Sequence, residues 1–284
     1  MSPTETRTVS ADIALDIQNL KVMTQPKRGE GHEIVKGIDL QVRRGSIHGL
    51  AGESGSGKTM TALATLGLLP LKTRATGHAY IGDADLISLS EQAIKPFRAR
   101  RIAMVFQDPS TSLHPQLTIG KQLTDHVRLH LKVSKAEAIA KAIASLERVS
   151  VPEPAQALNK YPHQFSGGQR QRIAIAIGLA CEPDVLLADE PTTALDVTVQ
   201  AGVLQLLRKL VDESDLGVLL VTHDLGVMSS IADEVSVMRY GEIVENATAR
   251  QIFAQPQHEY TKSLLAAMPG ADLAKESIHA EEEA

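Results

Sequence analysis

Lys58 is the residue around which the chemistry of this sequence gathers. It stands in "GESGSGKT", Gly52 to Thr59, where Gly52, Gly57, Lys58 and Thr59 fit the spacing Gly-x-x-x-x-Gly-Lys-Thr. A loop of this kind wraps a phosphate in backbone N–H groups, and the helix that follows points its positive end at the same anion. Gly52, Gly55 and Gly57 let the backbone approach and turn with positive φ, and Ser54 and Ser56 complete the cradle. Lys58 would then reach the β- and γ-phosphates of a nucleotide, and Thr59 would place its hydroxyl on Mg²⁺. The other reading is a glycine-rich turn with a solvated lysine; the apolar flanks, "SIHGLA" before and "MTALA" after, favour the nucleotide.

Four further clusters have side chains suited to phosphate chemistry. "DVLLADEP" ends an apolar run in Asp189 and Glu190; the first carboxylate suits Mg²⁺, usually through water, and the second can orient and deprotonate an attacking water. The pair could instead cap a helix or form an ion pair, a reading that weakens once a phosphate loop lies upstream. His223 follows "VLLVT", where an imidazole could donate to a phosphate oxygen. Gln107 follows "RIAMVF" and could ligate Mg²⁺ through its carbonyl oxygen and touch the water. Ser166, Gly167 and Gly168 open a helical run with a hydroxyl and exposed N–H groups, suited either to a second anion contact or to a plain structural turn.

The elements that position these groups alternate. Short β-branched runs, "SIHGLA", "RIAMVF", "DVLLAD" and "GVLLVT", give way to longer helical patterns, as in a parallel sheet covered by helices. Their nearly unbroken apolar character suits strands buried on both faces. Each ends in one of the polar clusters above, and in open α/β sheets ligands sit beyond the carboxyl ends of the strands. From about 108 to 164 strand signals stop. "SKAEAIAKAIASLERV" opens with Ser134 and Glu137 in capping-box register and repeats apolar residues at Ile139, Ile143, Leu146 and Val149, a helical insertion whose return is punctuated by Pro152, Pro154 and Pro162. "VSVMRYGEIVENA" reads as two strands about Tyr240-Gly241.

Bulk properties set wide bounds. A chain of 284 residues suffices for one large domain or two small ones, its net charge is −5, and its basic residues are scattered, so no basic stripe argues for nucleic acid. The single Cys181 excludes a disulfide framework and fits a reducing compartment. No signal peptide opens the chain and no apolar run approaches a membrane span, so a soluble, cytosolic protein is expected whose membrane role comes through a partner.

Taken together in order, Gly52 to Thr59, Gln107, Phe165 to Gln169, Asp189-Glu190, Ala194-Leu195-Asp196 and His223, the motifs make the chain resemble the ATPase subunits of ATP-binding-cassette (ABC) transporters, over roughly Ile13 to Gly270. The signature turn is the most specific of them. The resemblance implies an α/β fold: a P-loop NTPase (RecA-like) core with a mainly parallel sheet, an N-terminal antiparallel β portion and an inserted α-helical subdomain. The ABC domain would run 11–270, with core at about 11–107 and 165–250, insertion at about 108–164 and C-terminal extension at about 251–270, between flexible tails at 1–10 and 271–284. It implies ATP and Mg²⁺, with Glu190, His223, Gln107 and Lys58 catalytic, Thr59, Gln107 and Asp189 on the metal, and two subunits paired head to tail. Ser166, Gly167, Gly168 and Gln169 would cover the nucleotide held by the other subunit, and Asp196 would lie at the seam.

A narrower resemblance rests on "IFAQPQHEYTKSLLAAMP", which is similar to the extension of ATPases that drive bacterial importers of peptides, nickel and related solutes, commonly "HPYT" followed by "LL" and a proline. Glu259 stands in place of the proline, and the cysteine cluster of many such relatives is absent. Partners implied are two transmembrane permeases, docked beside Gln107 to Leu117, a second ATPase, identical or paralogous, and indirectly an extracytoplasmic solute-binding protein. The location implied is the cytoplasmic face of the inner membrane. The alternatives are a soluble ABC ATPase acting on nucleic acid or ribosomes, and a phosphate-loop kinase or GTPase; the latter leaves the signature turn unexplained. The family usually stacks adenine on an aromatic just past the first strand, where "LKVMTQPKRGEGHEIV" has none; Met23, Thr24 and His32 are nearest.

Overall fold

A computed structural model describes residues 10–25, 31–108, 112–193 and 195–267. The expected tails lie outside these residues apart from Ser10, as do 26–30 of the loop after the first strand and Ala194. The described strands are β1 (Ile13–Thr24), β2 (Glu33–Arg43), β3 (Ile47–Ala51), β4 (Thr73–Ile81), β5 (Ala84–Asp85), β6 (Ile102–Val105), β7 (Val185–Asp189), β8 (Gly217–Thr222), β9 (Glu234–Arg239) and β10 (Glu242–Thr248). Two compact units divide the chain: Met1–Leu89 with Leu219–Ala284, and Ser90–Val218.

The first unit holds the antiparallel sheet β2-β1-β4-β5, the expected N-terminal β portion. β1 pairs antiparallel with β2 (Ile17↔Leu40) and with β4 (Val22↔Ala75), a length of pairing that the alternation in "IALDIQNLKV" supports. Its other strands run in the order β10-β9-β3-β8. β3 is parallel to β9, with Ala51 opposite Val237, and every residue of β3 and β8 is buried, as continuous apolar runs require. β9 and β10 form the hairpin expected about Tyr240-Gly241. Met228, Val235, Val237, Ile252 and Tyr260 pack together beneath this sheet.

The second unit is mostly helical, around a parallel pair, β6 and β7, in register Ile102↔Val185 to Val105↔Ala188. Its helices include Ile119–Leu131, Lys135–Arg148, Gly167–Leu179 and Val197–Asp212. The Ser134–Glu137 capping box forms as the sequence predicts. The inward face of that helix differs from the expected stripe, however. Ala138, Ala142, Ser145 and Leu146 are buried, whereas Ile139 is 36 % exposed and lines a cleft with Ile143, Thr118 and Arg128. Small residues let neighbouring helices approach closely, so the alanine row turns inward and the isoleucines stand at the edge. Cys181, two residues past the end of Gly167–Leu179, is buried, and burial pushes its thiol up to about 11. Among the described residues no helix is long and apolar enough to cross a membrane.

Candidate nucleotide site

In the first unit β3 delivers the chain into the phosphate loop and the helix Lys58–Thr65 carries it out. Two glycines are there by necessity. Gly52 has φ +149°, and a Cβ on it would lie 2.1 Å from the carbonyl oxygen of Met238. Gly57, at φ +112°, is the N-cap residue, and a Cβ there would meet Met238 Cε at 2.8 Å and Ile34 O at 3.0 Å. The loop is thus pressed against the β9–β10 turn, which adds a backbone bond from Gly241 N to Ser56 O of 2.9 Å. By contrast, a Cβ on Gly55 would meet nothing within 4 Å, so the opposite side of the cradle is open. No side chain caps the helix and its first turn has no acidic residue, which leaves N–H donors and the dipole for an anion.

Lys58 is buried and curls back over its own loop. Its Nζ donates to Gly52 O at 2.7 Å, Glu53 O at 2.9 Å and Ser56 Oγ at 3.5 Å. These bonds hold the loop in shape and keep the ammonium in the cradle, where a phosphate would compete for it. Thr59 is exposed on the first turn, Ser54 is exposed, and Ser56 is buried. His223 follows the last residue of β8 on exposed backbone; Thr222 Oγ1 accepts from Asp224 N at 3.0 Å, and Asp224 caps the next helix at Gly226 N, 2.8 Å.

In the second unit the parallel register explains the pairing of side chains. Val105 lies opposite Ala188, so two residues further along each strand come Gln107 and Glu190, and Gln107 Nε2 donates to Glu190 Oε2 at 2.8 Å. Thr193, which the sequence reading passed over although it stands three residues after Glu190, donates its hydroxyl to the same oxygen at 2.9 Å. Glu190 adopts φ +46°, a left-handed backbone that costs a non-glycine residue about 1–2 kcal/mol. Such a residue persists where its surroundings hold it, and here two donors fix its carboxylate. The preceding Asp189 is buried at the end of β7.

The turn Ser166-Gly167-Gly168 starts the 13-residue helix Gly167–Leu179 with a second capping box: Gln169 N donates to Ser166 Oγ at 3.3 Å, and Ser166 N to Gln169 Oε1 at 3.0 Å. Asp196 caps the helix Val197–Asp212 by accepting from Val199 N at 3.0 Å. The two helix starts meet, because a Cβ on Gly168 would fall 2.3 Å from Val199 Cγ1. Arg172 ties the crossing with bonds to Val149 O, 2.9 Å, and Gly202 O, 3.1 Å. The structure therefore joins Gln107 to Glu190 and Gly168 to the Asp196 turn. Thr59 in the first unit and Gln107 and Asp189 in the second each carry an oxygen donor, the ligand type that Mg²⁺ takes.

The chain is similar to known proteins over most of its length. A family model described as ABC transporter matches residues 35–193. It is 45 % identical to the dipeptide transport ATP-binding protein DppD of Bacillus subtilis (strain 168) over 91 % of this chain and 78 % of that one. It is 42 % identical to the oligopeptide transport ATP-binding protein OppD of Escherichia coli (strain K12) over 98 % of this chain and 84 % of that one. Among solved structures it resembles the dimeric, post-hydrolysis ATP-binding cassette MJ0796 bound to ADP and Pi, with TM-score 0.68 and 30 % identity over 83 % of this chain and 98 % of that one. The family match over more than half of the chain, the identities to these relatives and the likeness of fold to that cassette place the chain in the ABC transporter family.

Proposed function

We propose that this chain is the ATP-hydrolysing subunit of a bacterial importer that takes up peptides or a related small solute through two permease subunits. The observation that carries the reading is the Glu190 carboxylate, fixed at the end of a buried strand by Gln107 and Thr193 at 2.8 and 2.9 Å. A base for water attack has to be held in this way, because phosphoryl transfer is catalysed by positioning and charge more than by covalent chemistry. Glu190 takes the water's proton, Lys58 exchanges its loop carbonyls for phosphate oxygens, and His223 donates to the γ-phosphate. The backbone of Gly52, Ser54, Gly55, Ser56, Gly57 and Thr59 binds the triphosphate. Thr59, Gln107 and Asp189 would hold Mg²⁺, which would supply charge neutralisation at the phosphate oxygens. Ser166, Gly167, Gly168, Gln169 and Asp196 serve the site of a second ATPase subunit.

The importer class rests on the relatives and on the C-terminal helix Glu259–Ala266. Glu259 is its first residue, a position that accepts proline or an acidic residue equally well, so its departure from the usual motif leaves the element intact. The peripheral location and the solute-binding protein follow from the same reading. The test is reconstitution of the chain with its permeases in proteoliposomes. ATP hydrolysis should rise when peptide-loaded binding protein is added on the far side. Recovery of the chain with ribosomes or nucleic acid, and not with integral membrane proteins, would favour the soluble ABC ATPase instead.

Base recognition yields a further prediction. Thr24 ends β1, and its Oγ1 accepts from His32 N at 2.8 Å, so its hydroxyl closes the loop toward β2. The exposed His32 and the half-buried Met23 are the other side chains near the expected adenine position. Without an aromatic there, wild type should discriminate weakly between ATP and GTP. Thr24→Tyr forfeits a hydrogen bond of about 0.5–1.5 kcal/mol and gains stacking of roughly 1–3 kcal/mol, so ATP affinity should rise about fivefold. Direct titration of both nucleotides decides it; a wild type strongly selective for ATP would show that another side chain reads the base.

A further inference from the structure

The segment "HEYT" near the C-terminus has a role that the hydrolysis reading leaves unused. Tyr260 is 5 % exposed, and its phenolic oxygen accepts a hydrogen bond of 3.2 Å from the backbone N–H of Glu53, the residue after Gly52 in the phosphate loop. The hydroxyl is held from the far side by a chain of bonds. Glu245 on β10 accepts from Gln257 N at 2.7 Å and from His258 N at 3.0 Å, and His258 Nδ1 accepts from Tyr260 N at 3.1 Å, which fixes the start of the last helix. The ring is fixed as well. The Arg239 guanidinium lies 4.5 Å from the centroid of Tyr260 and 5.0 Å from that of Tyr240, and its buried Nε has no hydrogen-bond partner among the described residues. A cation held by two rings keeps the phenol aimed at the loop. Burial and the neighbouring Glu53 carboxylate both push the phenol above its ordinary value, so the hydroxyl stays neutral.

Glu53 is where this matters. Its amide N–H donates to the Tyr260 oxygen while its carbonyl accepts from the Lys58 ammonium at 2.9 Å. The same peptide region therefore links the C-terminal helix to the lysine of the cradle. We propose that Tyr260 is a positioning residue for the phosphate loop: it fixes the Glu53 amide, and through it the resting place of Lys58, so that the C-terminal helix sets the affinity of the subunit for nucleotide. The proposal rests on the reading of Gly52 to Thr59 as the nucleotide cradle.

The variant that tests it is Tyr260→Phe in the 284-residue chain, since the ring, its packing and its contact with Arg239 all survive and only the hydroxyl with its bonds to Glu53 is lost. MgATP titration should show binding about three- to tenfold weaker, the loss of the hydrogen bond to the amide. The KM should rise by the same factor with kcat unchanged, amide exchange at Glu53 should accelerate, and Tm should hold. Tyr240→Phe, which removes the other hydroxyl beside Arg239, should leave affinity as in wild type. An unchanged Kd in Tyr260→Phe overturns the proposal whatever the exchange rate. So does a loss of affinity matched by Tyr240→Phe or accompanied by a fall in Tm, either of which marks a merely structural role. Failure of wild type itself to bind MgATP would instead sink the reading of the cradle.

Discussion

Glu190→Gln should bind MgATP and hydrolyse it about 10²–10⁴ times more slowly than wild type, the range that a positioned general base contributes. The substitution is clean because of what surrounds the side chain. Gln107 Nε2 and Thr193 Oγ1 both donate to one Glu190 oxygen, and the amide oxygen of a glutamine can accept both, so the strained turn at φ +46° keeps its supports. What disappears is the proton acceptor and one negative charge. Removing that charge relieves repulsion with a bound triphosphate, so the variant should also accumulate as an ATP-bound dimer. Single-turnover hydrolysis and size-exclusion chromatography with ATP check both. Near-normal turnover would take the role of base away from Glu190.

Ser166→Arg should stop hydrolysis while nucleotide affinity of the monomer changes less than about twofold. Ser166 contributes a cap to Gln169 N, and losing such a cap costs about 1 kcal/mol. The reciprocal bond from Ser166 N to Gln169 Oε1 uses backbone and remains, as do the Arg172 ties, so the helix still starts where it does. The substitution instead removes the hydroxyl and covers the N–H donors that the proposed head-to-tail pairing offers to the partner's phosphate. Removing one such donor costs about 10²–10³ in rate, and bulk at the seam prevents closure as well. A large fall in ATP affinity of the isolated monomer would show that the signature serves its own subunit's nucleotide, and the pairing would be wrong.

Much of this architecture is written in apolar patterning. Strands β3, β6, β7 and β8 were legible because a strand buried on both faces needs an unbroken apolar run, and few other elements do. The polar residues at their ends were legible for the same reason: they mark where burial stops. The helix Lys135–Arg148 was legible in existence and start, but not in orientation, since counting bulky residues favours Ile139 and Ile143 whereas close helix packing favours Ala138 and Ala142. Three features of the site are properties of backbone and so leave little trace in residue types. The left-handed turn at Glu190 is one. Another is the curl of Lys58 onto carbonyls of its own loop. The third is the bond between Tyr260 and the Glu53 amide, whose partners are 207 positions apart. The sequence did carry a hint for the last, because "HEYT" is the part of the C-terminal segment with polar groups and an aromatic side by side.

The single cysteine also decides how this protein can be watched. With its thiol at about 11, Cys181 is thiolate in only about one molecule in ten thousand at pH 7, and it is buried besides. Maleimide and disulfide reagents, which need an accessible thiolate, should therefore leave the native chain almost unlabelled, so no cysteine-free background has to be built. A cysteine introduced at Val197, which is 83 % exposed beside the Asp196 turn, would carry a fluorophore or spin label alone. Distances between labels on two subunits would then report seam closure in real time.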